Sequence, residues 1–156
     1  MSQEPTDEHV NKVMEKVSQI ATMADMACQK VPDDHMLVLG FDLGGGRRQA
    51  VFLRYLGQTP DGHDIVTFMS PCLEVKKMGF LRGGLSRNQA IDLLRRNAML
   101  GFGSFALTSY AQGREVLMVV TTQLVDTMEV EEFRTHVCFV AAAADEYERE
   151  HGYDRF

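Results

Sequence analysis

Residues 36–55 read MLVLGFDLGGGRRQAVFLRY, in which two apolar runs flank three consecutive glycines. Nearly continuous runs of Val, Leu, Phe and Met are typical of strands that helices cover on at least one face. Glycine supplies the positive φ that a tight hairpin turn requires. The stretch therefore predicts a hairpin at the centre of a sheet, with strands over residues 36–43 and 49–56.

The residues that follow this hairpin predict a third strand beside it. The sequence QTPDG at residues 58–62 combines proline, aspartate and glycine, which reverse a chain readily. A strand over residues 63–69 is expected next, and a short edge strand near residues 73–75. The three main strands in succession predict a meander.

A helix after the meander is predicted by its first residues. Ser86 and Gln89 have the spacing of a capping box, in which each side chain binds the backbone of the other residue. The helix is expected to continue to Leu100, with Gly101 as its stop.

The spacing of apolar residues predicts the remaining elements. Residues 8–30 carry apolar side chains at steps of three and four, the pattern of an amphipathic helix. Residues 103–111 and 115–123 are expected to form a second hairpin. A last amphipathic helix is predicted from a cap at Asp126 to about His151. The order is α-β-β-β-α-β-β-α, an α+β fold whose antiparallel sheet of five main strands is packed by the N- and C-terminal helices.

This element order, together with the acidic, alanine-rich sequence VCFVAAAADEYERE at residues 137–150, resembles the type III secretion chaperones of the Tir-chaperone class and the related YbjN-like bacterial proteins. The resemblance covers most of the chain and rests on element order and pattern, without a diagnostic motif. It implies a non-enzymatic homodimer that binds extended segments of partner proteins, or a regulatory relative of such a chaperone. It supplies no catalytic residue.

Length and charge narrow the classes of function. A chain of 156 residues is long enough for one domain with its own core, so we expect a single domain over residues 1–156. The net charge of −6 argues against general nucleic-acid binding. Residues 76–96 are a basic exception, with six basic side chains and one acidic. This segment either meets an acidic partner or is balanced by acidic helices of the same protein.

The sequence favours a cytoplasmic protein that does not enter a membrane. No apolar run approaches the roughly 18 residues that indicate a membrane span. The first residues, MSQEPTDEH, are polar and acidic, unlike a secretory signal.

The triple glycine also allows an alternative interpretation. GFDLGGG at residues 40–46 is similar to a phosphate-binding hairpin of the actin-like and heat-shock-chaperone ATPases. A small nucleotide- or phosphate-binding protein or enzyme would then use Gly44, Gly45, Gly46, Arg47 and Arg48. However, Arg47 replaces the expected threonine or serine, and the chain is less than half as long as those ATPases. A third alternative is a dimeric scaffold of the roadblock or longin type, in which the middle helix follows strand two.

We expect no enzymatic activity, no cofactor and no metal site. The five histidines show no ligand spacing, and no nucleophile elbow is present. The three cysteines are far apart and form no C-x-x-C pair, so each is expected to be a small buried apolar residue.

Two sets of apolar residues are the candidate binding residues. The helix after Ser86 is apolar around a wide arc, which predicts a second neighbour and hence a dimer contact through Ile91, Leu94 and Met99. Methionine is flexible and suits surfaces that accept varied apolar partners. Three methionines near predicted element ends, Met69, Met78 and Met128, are therefore expected to form an exposed partner-binding patch.

Overall fold

A computed structural model describes residues 5–31, 35–75, 85–109 and 115–152. It confirms the α+β class: in these residues an N-terminal helix, a six-stranded antiparallel sheet and two further helices are present. The helices are α1 (Asp7–Met23), α2 (Arg87–Asn97) and α3 (Val130–Glu150). The strands are β1 (Gln29–Val31), β2 (Met36–Gly44), β3 (Arg47–Gln58), β4 (Asp64–Val75), β5 (Ser104–Ser109) and β6 (Glu115–Leu124).

The strands lie in the order β1-β2-β3-β4-β6-β5, and each pairs antiparallel with its neighbours. Side chains alternate between the two faces of the sheet, so residues directly opposite one another on neighbouring strands lie on the same face. Leu37 lies opposite Leu53, and Leu53 opposite Phe68, and all three are at most 1% exposed. They face α1 and α3, which pack together on this side of the sheet.

The core forms where the predicted apolar stripes of α1 and α3 meet the sheet. α1 buries six side chains between Val10 and Ala21, at the helical spacing that the sequence shows. α3 buries Phe133, Val137 and Val140 along with five further residues. Each large apolar side chain fully removed from water contributes roughly 1.5–3 kcal/mol. These two helices are therefore firmly attached to the sheet.

The triple glycine is the turn between β2 and β3. Gly44, Gly45 and Gly46 have φ values of +81°, +64° and +82°, which residues with a Cβ rarely adopt. The Asp42 Oδ1 atom accepts a hydrogen bond of 2.9 Å from the backbone N–H of Gly44. The predicted hairpin is confirmed.

Two predicted boundaries are wrong, one near the first sheet edge and one in β4, and one strand is additional. α1 ends at Met23 rather than near residue 30, because Asp25 adopts a φ of +58° and the Met26 N–H bonds back to Ala21. The residues beyond it form β1, a sixth strand that the sequence did not predict. The short edge strand expected at residues 73–75 is the end of β4, which continues past Pro71 through a bulge.

The last helix also starts later than expected. α3 begins at Val130, and the Glu132 side chain accepts a hydrogen bond of 3.1 Å from the Glu129 N–H. Asp126 does not cap α3. Its carboxylate instead bonds Lys16 of α1 at 3.2 Å and lies 3.3 Å from His63 Nδ1. In the described part of the chain, no helix has the length and apolar character needed to cross a membrane.

Candidate interaction surfaces

α2 is a short helix that buries one leucine and exposes the next. Its start has the predicted capping box: Gln89 N–H donates to Ser86 Oγ at 3.2 Å, and Ser86 N–H donates to Gln89 Oε1 at 2.8 Å. Leu93 is its one buried residue, and Ile91 is half-buried. Leu94, in contrast, is 70% exposed. α2 therefore attaches to the domain along a narrow line and leaves an apolar side open.

Four exposed apolar side chains lie in the segment that runs from α2 into β5. Seven large apolar residues are exposed in the described part of the chain, and four of them lie between residues 94 and 107. We call these four the α2–β5 patch: Leu94, Met99, Phe102 and Leu107. Met99 is 86% exposed, the highest value of the seven. A concentration of apolar side chains in one surface segment marks an interaction site more reliably than scattered exposed residues do.

A groove of about 320 Å³ adjoins this patch. Met99 lines it together with Phe105 of β5 and Tyr147 of α3. Arg96 closes one side, with its guanidinium 2.7 Å from Glu150, 2.8 Å from Asp92 and 5.8 Å from the centre of the Tyr147 ring. The groove therefore combines an apolar lining with charges that are already paired.

The basic segment is balanced in part by α3. The hydrogen bond that Arg96 donates to Glu150, and then the one that it donates to Asp92, raises the pKa of Arg96 above its usual value. Arg87 and Arg95 are exposed beside it. Lys76, Lys77 and Arg82, along with the candidate Met78, lie outside the described residues.

The second face of the sheet carries a row of apolar side chains. Val38 lies opposite Phe52, Phe52 opposite Met69, and Met69 opposite Val120. All four are half-buried, whereas their neighbours on the α1 and α3 side are fully buried. The candidate Met69 therefore belongs to a continuous apolar row across four strands, which we call the second-face row.

The expectation that Met128 is exposed is wrong. Met128 is 7% exposed and packs in the hydrophobic core. The loop between β6 and α3 folds over the core, since Val125 is 2% exposed and its N–H donates to the Asp64 carbonyl at 2.9 Å. Nearness to the end of an element therefore did not imply exposure here.

The end of α2 makes a contact that the sequence did not indicate. The Phe105 N–H of β5 donates to Asn97 Oδ1 at 2.7 Å, and Asn97 Nδ2 donates to the Phe105 carbonyl at 3.2 Å. One carboxamide thus satisfies both backbone groups of one strand residue. The contact depends on the approach of two elements in space, so no local pattern could have predicted it.

A polar cluster joins α1 to the end of β3 and the start of β4. Asp64 Oδ1 lies 2.8 Å from His9 Nε2 and accepts hydrogen bonds from Tyr55 at 3.1 Å and Gln58 at 3.0 Å. Burial, followed by the bond to Asp64, raises the pKa of Tyr55 to about 12. Tyr55 therefore stays protonated as a donor, and the cluster fixes the position of α1.

The three cysteines differ in burial. Burial raises the pKa of the Cys72 thiol to about 12, which disfavours the nucleophilic thiolate. Cys138 is exposed, contrary to expectation, and Cys28 is half-buried. Across residues 5–31, 35–75, 85–109 and 115–152, no group of three or more His, Cys, Asp or Glu side chains is placed to hold a metal ion.

The glycine hairpin has acidic neighbours. The Gly44 N–H already donates to Asp42, and Arg47 Nε donates to Asp145 of α3 at 2.6 Å. A phosphate here would meet two carboxylates and would compete with them for these donors. This geometry favours a structural turn over an anion site.

Comparison with known proteins adds no family assignment. No protein family model matches the chain, and the search of curated proteins found no match.

Proposed function

We propose that this protein is a non-catalytic, chaperone-like or regulatory binding module that acts as a homodimer and holds a segment of a partner protein. The observation that carries the proposal is the exposure of Leu94, at 70%, on a helix that buries only Leu93 against its own domain, and of Met99, at 86%, two residues past the end of that helix. The resemblance to secretion chaperones points to the same kind of activity.

The dimer is proposed to form through α2, with Ile91, Leu94 and Met99 in the contact. Full burial of one large apolar side chain contributes roughly 1.5–3 kcal/mol. A two-fold contact buries Leu94 and Met99 twice, a gross gain of roughly 6–12 kcal/mol before the costs of association. A micromolar dissociation constant corresponds to about 8 kcal/mol, so the contact needs Ile91 in addition to Leu94 and Met99. The exposed Arg87 and Arg95 would form its polar rim.

Light scattering at micromolar concentrations tests the dimer. We expect a mass near twice the 17.5 kDa of the chain for the wild type, and the mass of one chain for Leu94→Glu. Leu56→Glu is the matched control, because Leu56 is 59% exposed but lies on β3, away from α2. A wild-type mass of one chain throughout the range would contradict the dimer. A dimeric Leu94→Glu variant would place the interface elsewhere.

The partner segment is proposed to lie on the second-face row, which includes Met69. An extended chain can lay alternate apolar side chains on such a row, and flexible methionine adapts to varied partners. We therefore expect a partner with alternating apolar residues in an unfolded segment.

Reconstitution tests the partner surface. A protein that co-purifies with the wild type is identified by mass spectrometry, and its binding is measured again with purified components. Met69→Lys should weaken that binding at least about tenfold, which corresponds to 1.4 kcal/mol. Met23→Lys should leave it unchanged, since Met23 is 63% exposed on α1, on the other side of the sheet. Equal affinity of the two variants would exclude the row as the binding surface.

A further inference from the structure

β5 is an edge strand whose side chains carry no protection against pairing with another strand. Its residues, SFALTS, include no charge and no proline. Among the described residues β5 pairs with β6 alone. Natural edge strands usually carry lysine, proline or a bulge, since an open row of N–H and C=O groups accepts strands from other chains. The protection of this edge must come from another element.

Asn97 supplies a group that imitates a neighbouring strand. Both backbone groups of Phe105 bond the Asn97 carboxamide, so they point away from β6. In an antiparallel ladder the outward-facing residues alternate, so those of Leu107 and Ser109 point the same way. The carboxamide accepts one hydrogen bond and donates the other, as an opposing strand residue would. It therefore occupies one of three outward positions on β5.

The geometry points to pairing of β5 with β5 of a second copy, and we propose that the end of α2, held at Phe105 by Asn97, is the plug that prevents it. A two-fold axis beside Leu107 places Leu107 opposite its own copy and Phe105 opposite Ser109 of that copy. Each such position contributes two backbone hydrogen bonds, so the full ladder has six. With Asn97 bound at Phe105, only the two bonds at Leu107 form.

The chemistry of β5 favours its own copy as the occupant. The strand is uncharged, so an antiparallel duplicate brings no like charges together. In this register Ser109 of one copy lies opposite Phe105 of the other, so the contact buries no charge. This contact is separate from the proposed dimer through α2.

Replacement of Asn97 tests the plug. In Asn97→Ala both bonds that hold the end of α2 at Phe105 are lost, so β5 of a second copy can displace it. We expect a weight-average mass about twofold or more above that of the wild type at the same concentration. If the wild type is a dimer through α2, the second two-fold contact links dimers into longer chains. If the wild type is monomeric, the variant stops at two chains. The increase over the wild type therefore tests the plug whichever state the wild type has.

Three further variants define the cause. Asn88→Ala, on the exposed first turn of α2, should keep the wild-type mass. Asn97→Asp should keep it also, because the carboxylate still accepts from Phe105 N–H and places a charge at the edge. Adding Leu107→Lys to Asn97→Ala should restore the wild-type mass, since the two-fold axis would bring the lysines together. A folded Asn97→Ala variant with the wild-type mass would overturn the proposal.

Hydrogen exchange of the wild type provides a measurement that does not depend on a variant folding. The plug protects the amide of Phe105, whereas the outward amide of Leu107 has no hydrogen-bond partner among the residues that the structure describes. We expect exchange at Leu107 to be at least about tenfold faster than at Phe105. Equal protection of the two amides would mean that the edge is already covered, and would also overturn the proposal.

Discussion

The two edges of the sheet are protected in different ways. β1 has only three residues, and Lys30 at its centre pairs with Glu15 of α1. β5 has six residues without a charge, and its cover at Phe105 comes from Asn97 on α2. A short, charged strand is protected by its own sequence. A strand covered by a neighbouring helix is protected only while that helix stays in place.

The helices beside the two edges differ in how firmly they are attached to the sheet. α1 buries six side chains and is held in addition by the polar cluster around Asp64. α2 buries Leu93 alone. Segments with few buried apolar contacts open at a lower free energy than the rest of a protein. Motion of α2 would therefore expose backbone groups of β5 to other strands, whereas α1 is held in place beside β1. The β5 edge also borders the α2–β5 patch.

The largest loss of stability at the β5 edge is expected from a substitution of Gly103, the residue that precedes β5. Gly103 has a φ of +66°, and an added Cβ would collide with the Val120 carbonyl oxygen and lie 3.1 Å from Thr121 Cβ. We expect Gly103→Ala to lower the free energy of unfolding by about 3 kcal/mol or more, because backbone strain and overpacking add. Urea denaturation measures this value.

Gly45→Ala is the matched control for that change. Gly45 has a φ of +64°, but an added Cβ would meet no atom within 4 Å. Only the conformational strain remains, which is about 1–2 kcal/mol. If both variants lost the same stability, the close approach of residue 103 to β6 would not contribute.

A smaller loss is expected when the plug on β5 is removed. Asn97→Ala leaves the half-buried N–H and C=O of Phe105 without their partner. Loss of two hydrogen bonds at a partly solvated site should reduce the free energy of unfolding by about 1–2 kcal/mol. Asn88→Ala on the same helix should change it by less than about 0.5 kcal/mol. An equal small change in both variants would show that water replaces the Asn97 carboxamide without cost.

The sequence predicted the elements that rest on local periodicity. The apolar stripes of α1 and α3 were read from steps of three and four, and the capping box at Ser86 from two residues. The glycine hairpin followed from the need for positive φ. In each case the determining residues lie within a few positions of one another.

The features that the sequence did not predict depend on contacts between residues far apart in the chain. β1 is three residues long and exists because β2 pairs with it, so it has no periodic signal of its own. The burial of Met128 follows from the path of its loop over the core. The exposure of Leu94 on α2 agrees with the wide apolar arc, and Met99 is exposed just past the end of the helix. The contact of Asn97, in contrast, requires the position of β5.

A pH-dependent effect is expected at the β5 side of the sheet. His136 of α3 is 8% exposed, with its ring 5.4 Å from Phe102, and burial lowers its pKa although Glu132 acts in the opposite direction. Above the unfolded pKa of about 6.5 both states are neutral and the stability is unaffected. As the pH falls below that value the unfolded state binds a proton first, so the folded state loses stability.

His136→Gln isolates this contribution. Glutamine can still bond Thr121, which lies 3.2 Å from His136 Nδ1, but it does not titrate. We expect the difference in unfolding free energy between wild type and variant to become less favourable to the wild type between pH 7.5 and 5.5. The protection of amides against exchange, relative to the intrinsic rate at each pH, should fall in β5 more than in β1 as the pH is lowered. Parallel pH curves for the two proteins would rule out His136 as the source.

The smallest effect is expected at the β1 edge. Lys30 and Glu15 are 61% and 52% exposed, and ion pairs of this kind contribute at most about 1 kcal/mol. Lys30→Val removes the only charge of β1, yet the strand remains too short to form more than a few hydrogen bonds with another chain. We therefore expect a change in stability within about 0.5 kcal/mol and no change in the mass measured by light scattering. If Lys30→Val instead associated as strongly as Asn97→Ala, that result would show that the charge of Lys30, and not the shortness of β1, prevents pairing at this edge.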